Sequence, residues 1–393
     1  MRTFTSSAFP ATRAARPNGT RRQLVLGTLA SAACMPGAVR AQSGEPIRLG
    51  QSTAMSGALG DLGRATHDGA KAAFAALNAA GGVNGRRIEL ITHDDAYDAK
   101  KALANVESLL ADRTIFMLFN CFGTPAIEAM LPKVVEHGMP FFAPYTGASA
   151  ARVKARNVFN IRASYAEEAE EIVRHLGTIG LKRVAVAWQN NAFGKEVEGG
   201  ASRAMSRHGL AQAASVPVEG DSSNVDAAAA QLASSGAKAV VLGLAGKPAL
   251  DMVKALRAKD KGLTLYGLSV LGAATTLKAM GEDGVGVAIS QVVPSPLSQS
   301  VPVSRAFQRD WKAAGLNEEP SFVAMEGYIN ARVLAEALRR AGAQLSTQNF
   351  IDSTWALKNL DLGGFRVNFS APGANASSLV ELTMIGKNGR FIR

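Results

Sequence analysis

Beyond residue 45 the chain alternates two kinds of segment. Short runs rich in Val, Ile and Phe occur at 47–51, 88–92, 115–119, 140–143, 183–188, 239–242 and 264–267. Between them lie longer amphipathic stretches at 64–78, 98–111, 126–137, 166–179 and 193–207. Short apolar runs buried on both faces belong in a parallel sheet, and apolar positions at three- and four-residue spacing belong on a helix with one covered face. Strand–helix alternation carried over this length predicts an α/β fold of two doubly wound, Rossmann-like units.

Local punctuation supports these boundaries. Gly81-Gly82-Val83-Asn84-Gly85 reads as a tight turn feeding the strand at 88–92. Thr124-Pro125 reads as a helix N-cap followed by proline at the first helical position. The segment 292–297 holds Pro294 and Pro296 and breaks the α/β rhythm, so it is expected to connect two lobes.

The first 41 residues follow another pattern. A basic stretch ends at Arg21-Arg22, a modest apolar run reaches Met35, and Ala38-Val39-Arg40-Ala41 suits signal peptidase. The expectation is an exported chain with a mature start near Gln42. The paired arginines resemble a twin-arginine signal, and the general secretory route is the alternative. Lipidation at Cys34 would need an apolar residue three positions earlier, where Ser31 stands.

Composition narrows the classes. The chain has 393 residues, 47% hydrophobic and 19% charged, which excludes a disordered or fibrous protein. The part after the leader is long enough for about two domains, each with its own core. No later apolar run approaches the ~20 residues that span a bilayer. Of the 43 basic residues, six arginines lie in the first 41 positions, where there is no acid, so the formal charge of +11 falls to +5 for the rest. Those remaining charges are scattered, with no basic stripe interleaved with aromatics, so no nucleic-acid partner is expected. Cys121 is the one cysteine after the leader and has no partner for an internal disulfide.

Catalytic and cofactor motifs are poorly matched. Gly57, Gly60 and Gly63 are spaced three apart, whereas a dinucleotide loop needs its middle glycine two after the first. Gly267-Leu268-Ser269-Val270-Leu271-Gly272 lacks the second glycine of a nucleophile elbow. Cys121 ends a strand and reads as a small buried hydrophobe unless a base lies beside it. His67, His93, His137, His175 and His208 show no metal-ligand spacing. No enzyme activity, cofactor or metal is expected. Two loops after strands stand out instead: 120–125, which leads into a helix start, and 144–148. Helix N-termini attract carboxylates, and ligands of open α/β sheets bind outside the C-terminal strand ends.

Several segments, in order along the chain, are similar to one family. These are Met55-Ser56-Gly57, Asn78-Ala79-Ala80-Gly81-Gly82-Val83-Asn84-Gly85, Asp94-Asp95, Gly138-Met139-Pro140 leading into Ala143-Pro144, Phe193-Gly194, and Glu326-Gly327-Tyr328. Together they resemble the solute-binding proteins of ABC uptake systems related to the leucine/isoleucine/valine-binding protein. The resemblance implies a type I periplasmic-binding fold, a Venus-flytrap of two lobes on a three-strand hinge. It implies lobe one at 42–161 with 294–361, lobe two at 162–293 with 362–393, and crossings near 161–163, 290–294 and 362–364. It also implies a monomer that closes over a small ligand and docks on permease and ATPase subunits in the periplasm.

Carried over by residue, the resemblance places a ligand carboxylate on Thr124 and Thr146, or on backbone N–H groups of Cys121, Phe122, Gly123 and Gly147. Leu62, Phe122, Tyr145 and Phe193 would form apolar or aromatic walls, and Ser269 with Val270 would close the far side. Phe193 stands where the family usually has a tyrosine. Ser269 stands where it usually has the acid that pairs with an amino-acid ammonium. A desolvated ammonium without a counter-charge costs several kcal/mol, roughly, so the substitution points to an aliphatic or aromatic carboxylate, or an amide. The alternative is that Glu326 or another acid supplies the charge to an amino acid. An exported enzyme and a periplasmic sensor lobe are the rival functional readings.

Overall fold

The computed structural model describes residues 44–387 and 390–392. The expected leader, 1–41, lies outside the described residues. Two sheets organise the rest. The first contains β1 (Ile47–Thr53), β2 (Ile88–Asp94), β3 (Ile115–Phe119), β4 (Phe141–Phe142) and β5 (Val158–Phe159), all parallel, in the order β2-β1-β3-β4-β5. Helices α1 (Gly60–Ala79), α2 (Ala99–Ala111) and α3 (Thr124–His137) connect them.

The second sheet repeats the plan. After α4 (Tyr165–Thr178) come β6 (Arg183–Gln189), α5 (Ala192–His208), β7 (Ala211–Val218), α6 (Val225–Ser234), β8 (Ala239–Gly243), α7 (Lys247–Lys259), β9 (Thr264–Gly267), α8 (Ala274–Met280) and β10 (Ala288–Gln291). Their spatial order, β7-β6-β8-β9-β10, is that of the first sheet shifted by five strands. The chain then returns to lobe one as α9 (Pro302–Ala313), α10 (Phe322–Ala341), α11 (Thr347–Trp355) and the hairpin β11 (Leu360–Asp361) to β12 (Arg366–Val367). It ends on the second sheet as antiparallel β13 (Glu381–Ile385) and β14 (Phe391–Ile392). The strands and helices expected from the apolar pattern are all present, with ends displaced by a few residues.

One expected crossing is misplaced. Phe365, Val367, Phe369 and Ala376 pack into the core of lobe one, and Asp361 accepts from the N–H groups of Gly363 and Gly364, making 362–364 a hairpin turn. The chain leaves lobe one later, where Ala376 and Ser377 donate to the carbonyls of Asn160 and Ile161 beside the first crossing. The third crossing therefore lies between Ser377 and β13.

Lobe one is stiffened by α1 lying directly on α10. A Cβ added at Gly69 would stand 1.8 Å from the Ala324 carbonyl oxygen, and one at Gly327 would stand 2.0 Å from that of Thr66. Glycine at these two positions is what lets the backbones meet. One apolar cluster does not belong to a single lobe: it joins Leu59, Leu62, Phe122 and Tyr145 of lobe one to Tyr165, Phe193, Val197 and Val270 of lobe two.

Candidate functional site

Both sheets have their topological switch point between the first and third strands of their unit, and the C-terminal strand ends of both face one another. Every residue lining the cavity between them sits shortly after such an end. Leu59 and Leu62 follow β1, Tyr97 follows β2, Phe122, Gly123 and Thr124 follow β3, and Tyr145 follows β4. Tyr165, Phe193, Ala245 and Val270 come from the corresponding places in lobe two and its first crossing. The cavity measures about 20 Å³, enough for about one water. The lobes are thus closed on each other, and an organic ligand enters only when they part.

Loop geometry explains how these residues converge. Asn120 and Ala143 adopt positive φ, 51° and 54°, as the chain leaves β3 and β4. The two loops then pair as a short parallel bridge at Phe122 and Tyr145, stacking those rings at 5.3 Å. Gly123 has φ 96°, and a Cβ there would lie 2.5 Å from the Tyr97 ring, so the position requires glycine both for its backbone and for space.

Thr124 does not cap α3. Gly123 is the capping residue, Thr124 is the first helical one, and the Thr124 side chain makes no cap hydrogen bond. Its hydroxyl is instead 2.7 Å from that of Thr146, which also accepts from the Ala148 N–H. The sequence expectation of a Thr124 cap is corrected by this pairing: a glycine with positive φ turns the chain without a side-chain acceptor. Two buried hydroxyls therefore stand at the positive end of a helix dipole, where the first-turn N–H groups lack intrahelical acceptors.

Seven of the expected site residues, Leu62, Phe122, Gly123, Thr124, Tyr145, Phe193 and Val270, line this cavity. Thr146 stands one hydrogen bond behind it. Gly147 lies beneath Tyr165, accepting the Tyr165 N–H through its carbonyl. Cys121 points away into the core between α2 and α3, where its sulfur accepts from the Ser52 N–H and burial pushes its thiol up to about 12. Leu59, Tyr97, Tyr165 and Ala245 were not anticipated. Tyr97 had a signal in following Asp94-Asp95; Tyr165 had one in starting a helix behind a Ser164–Glu167 capping box.

Ser269 faces a polar cluster behind the aromatic walls. Its N–H and hydroxyl both donate to the Glu168 carboxylate, at 2.8 and 3.1 Å. The same carboxylate accepts from Arg162 at 2.7 Å and Ser290 at 2.7 Å. The Arg162 guanidinium lies over the rings of Tyr145 and Tyr165, 5.4 and 5.2 Å from their centres, and its other nitrogen is 3.4 Å from Glu326. Arg162, Glu168 and Glu326 are each at most 3% exposed. Burial works against the Arg162 charge, but Glu326 and Glu168 outweigh it and hold the guanidinium above its usual range. Burial raises Glu326, with Arg162 opposing.

Polar contacts also join the lobes at the rim. Ser149 donates its N–H and hydroxyl to the two oxygens of Glu196 at 3.1 and 3.0 Å, and Thr276 and Thr275 bond Asp61. Two larger hollows lie elsewhere on lobe one. The first opens at the N-terminal ends of β1 and β3, around Arg48, Arg113 and Phe116, and the second beside α1 and β2, around Lys71 and Leu90. Neither is at the strand ends where this architecture places ligands. Among the described residues no group of three His, Cys, Asp or Glu side chains is placed to hold a metal ion.

A family model described as periplasmic binding protein matches residues 46–390. An amino acid binding protein of Pseudomonas aeruginosa is 24% identical over 305 residues, which is 76% of this chain and 79% of that one. The crystal structure of a substrate-binding periplasmic protein from Ralstonia solanacearum is 33% identical, superposes with a TM-score of 0.83, and covers 88% of this chain and 99% of its own. A solute-binding protein of an ABC transporter from R. palustris, solved in complex with benzoate, shares the fold at 20% identity and a TM-score of 0.80, over 88% of this chain and 95% of its own.

Proposed function

The chain belongs to the periplasmic binding protein family, with its two-lobed type I fold, and on that premise we propose that it captures a small carboxylate with an apolar body and presents it to an ABC importer. The observation that carries this reading is the pairing of Thr124 and Thr146 at the start of α3, beside a cavity walled by five aromatic rings from both lobes. Hydroxyls and first-turn N–H groups suit an anion, and the rings of Tyr97, Phe122, Tyr145, Tyr165 and Phe193 suit an aliphatic or aromatic body.

The charge of the cluster behind the rings favours a ligand without an ammonium. An acid does reach the Ser269 loop, namely Glu168, but Arg162 neutralises it at 2.7 Å. A second reading, an amino-acid ligand, is favoured by Glu326, the second buried acid of the cluster, which Arg162 approaches only to 3.4 Å. In either case the ligand touches both lobes and so favours the closed state. The closed form would then be recognised by permease and ATPase subunits after twin-arginine or general export to the periplasm. The receptor would act as a monomer and perform no chemistry on its guest.

Calorimetry of residues 42–393 with benzoate, 4-methylpentanoate and leucine tests the proposal. It expects heat and saturation with at least one of the two carboxylates and none with leucine. Saturation by leucine alone selects the amino-acid reading, and turnover of any of the three overturns both.

A further inference from the structure

Arg152, between the Thr146 loop and β5, donates to four oxygens from three parts of the chain. Its Nη1 bonds the carbonyls of Thr146 and Ala148 at 2.7 and 2.9 Å. Its Nη2 bonds the Arg162 carbonyl on the first crossing at 3.2 Å, and its Nε bonds the side-chain oxygen of Asn375, just before the third crossing, at 2.9 Å. Asn375 in turn donates to Glu167 at 2.6 Å, the residue that completes the capping box of α4 in lobe two. Every oxygen that Arg152 bonds is thus a neutral carbonyl. Burial, and then the charge of Arg162, push its guanidinium down to about 10, so the charge is held there against opposition. The position calls for a planar fork of five N–H donors. A lysine ammonium carries three donors on one atom and does not span carbonyls on three separate segments.

Two of these contacts concern the cleft and two concern the hinge. The Thr146 hydroxyl pairs with that of Thr124 on the cavity wall, and the crossings are the segments whose torsions change when lobes part. Resting on the reading that Thr124 and Thr146 hold the ligand's anionic end, we propose that Arg152 is the positioning residue that fastens this loop to the first and third crossings, so that seating the anion and setting the hinge are one event. A shift of Thr146 moves the Arg152 head group and with it the Arg162 carbonyl. Rotation of the crossing acts back on Thr146 through the same bonds. Such coupling is reciprocal: the loop shape that fits the ligand is the one the closed hinge favours. Arg152 itself does not line the cavity.

Hydrogen exchange of residues 42–393, read by mass spectrometry, tests this without a ligand. Three N–H groups report on the three segments: Ala148, bonded to the Thr146 hydroxyl, Tyr165, bonded to the Gly147 carbonyl, and Ala376, bonded to the Asn160 carbonyl. In Arg152→Lys, peptides carrying all three should exchange at least about ten-fold faster, while β3 and β8 keep their wild-type rates. In Asn375→Ala the Ala148 peptide should also exchange faster, although it lies on the far side of Arg152, and this variant decides alone should Arg152→Lys not fold. Wild-type rates in Arg152→Lys, acceleration confined to the 146–148 loop, equal acceleration of β3 and β8 in a folded variant, or an unchanged Ala148 peptide in Asn375→Ala each overturn the proposal. Calorimetry with benzoate and 4-methylpentanoate supplies the second arm. Whichever of them the wild type binds should bind at least about ten-fold more weakly to Arg152→Lys. Affinity kept by Arg152→Lys but lost by Arg152→Gln would make Arg152 a charge behind the anion and overturn its positioning role. If the wild type binds neither acid, the carboxylate reading fails, and the exchange pattern judges Arg152 by itself.

Discussion

Glu168 of α4 reaches across to the loop after β9 and accepts both the N–H and the hydroxyl of Ser269, at 2.8 and 3.1 Å. An acid thus occupies the neighbourhood of Ser269 although the sequence position itself lacks one, and Arg162 on the first crossing consumes its charge. The same carboxylate holds Ser290 at the end of β10, so one side chain ties the helix after the first crossing to the strand leading into the second.

Truncating Glu168 should therefore be costly. Glu168→Ala removes the nearest counter-charge of the buried Arg162 guanidinium and leaves Glu326, at 3.4 Å, as the remaining acid; breaking a buried pair from one side typically costs about 3–5 kcal/mol. Urea denaturation of the variant should show a loss of that size. A loss below about 1 kcal/mol would mean that the network relaxes and does not hold the hinge.

Thr124→Ala should separate two kinds of ligand contact. A hydroxyl that makes one neutral hydrogen bond contributes about 0.5–1.5 kcal/mol, and one that bonds a charged acceptor about 1.5–3 kcal/mol. Because α3 starts at Thr124 without its help as a cap, the substitution should spare helix stability. Calorimetry with a bound carboxylate should show the larger loss, and unchanged affinity would remove Thr124 from the site.

Much of this arrangement was legible in the chain. Strands buried on both faces announced themselves by continuous apolar runs, and Asp98 was readable as a helix start, where its carboxylate accepts from the Lys100 and Lys101 N–H groups. The residues that escaped did so because their placement depends on partners remote in sequence. Tyr165 reaches the cleft only through Gly147, whose carbonyl accepts its N–H, and Ser269 turns from the ligand because Glu168, 101 residues earlier, claims it. Cys121 was assigned to the site by its loop, yet the alternation of side chains beyond β3 sends it to the opposite face.

Gly69→Ala should destabilise lobe one despite improving helix propensity. Alanine is favoured over glycine by about 1 kcal/mol inside a helix. Here, however, the new methyl would stand 1.8 Å from the Ala324 carbonyl oxygen, and forcing packed elements apart costs about 1–3 kcal/mol or more. The net effect should be a lower melting temperature by calorimetry. An increase would show that α1 can move off α10 freely.

Cys121 should be silent towards thiol reagents in the folded protein. Its thiol, pushed up to about 12 by burial, is about one part in ten thousand thiolate at pH 8, and reagents attack the thiolate. Labelling followed by mass spectrometry should proceed only under denaturant, and rapid labelling of the native chain would contradict the packing between α2 and α3.

The rim should make closure sensitive to pH through Glu128. Burial, and then the charge of Glu196 on the facing α5, raise the Glu128 carboxyl above its ordinary value. Glu196 is fixed in place by Ser149 of lobe one, so shutting the lobes brings the two carboxylates together and opening them relieves the repulsion. A group whose affinity for a proton is higher in the closed form favours closure as pH falls towards that raised value. Ligand binding should accordingly tighten between pH 7 and 5. Because Glu128 is largely exposed, solvent screening limits the change to a factor of about two or three. Glu128→Gln should bind more tightly at pH 7 and lose this portion of the pH dependence, as read by calorimetry at both pH values and by small-angle scattering of the unliganded chain. If the variant keeps the wild-type slope, the repulsion across the rim plays no part in closure.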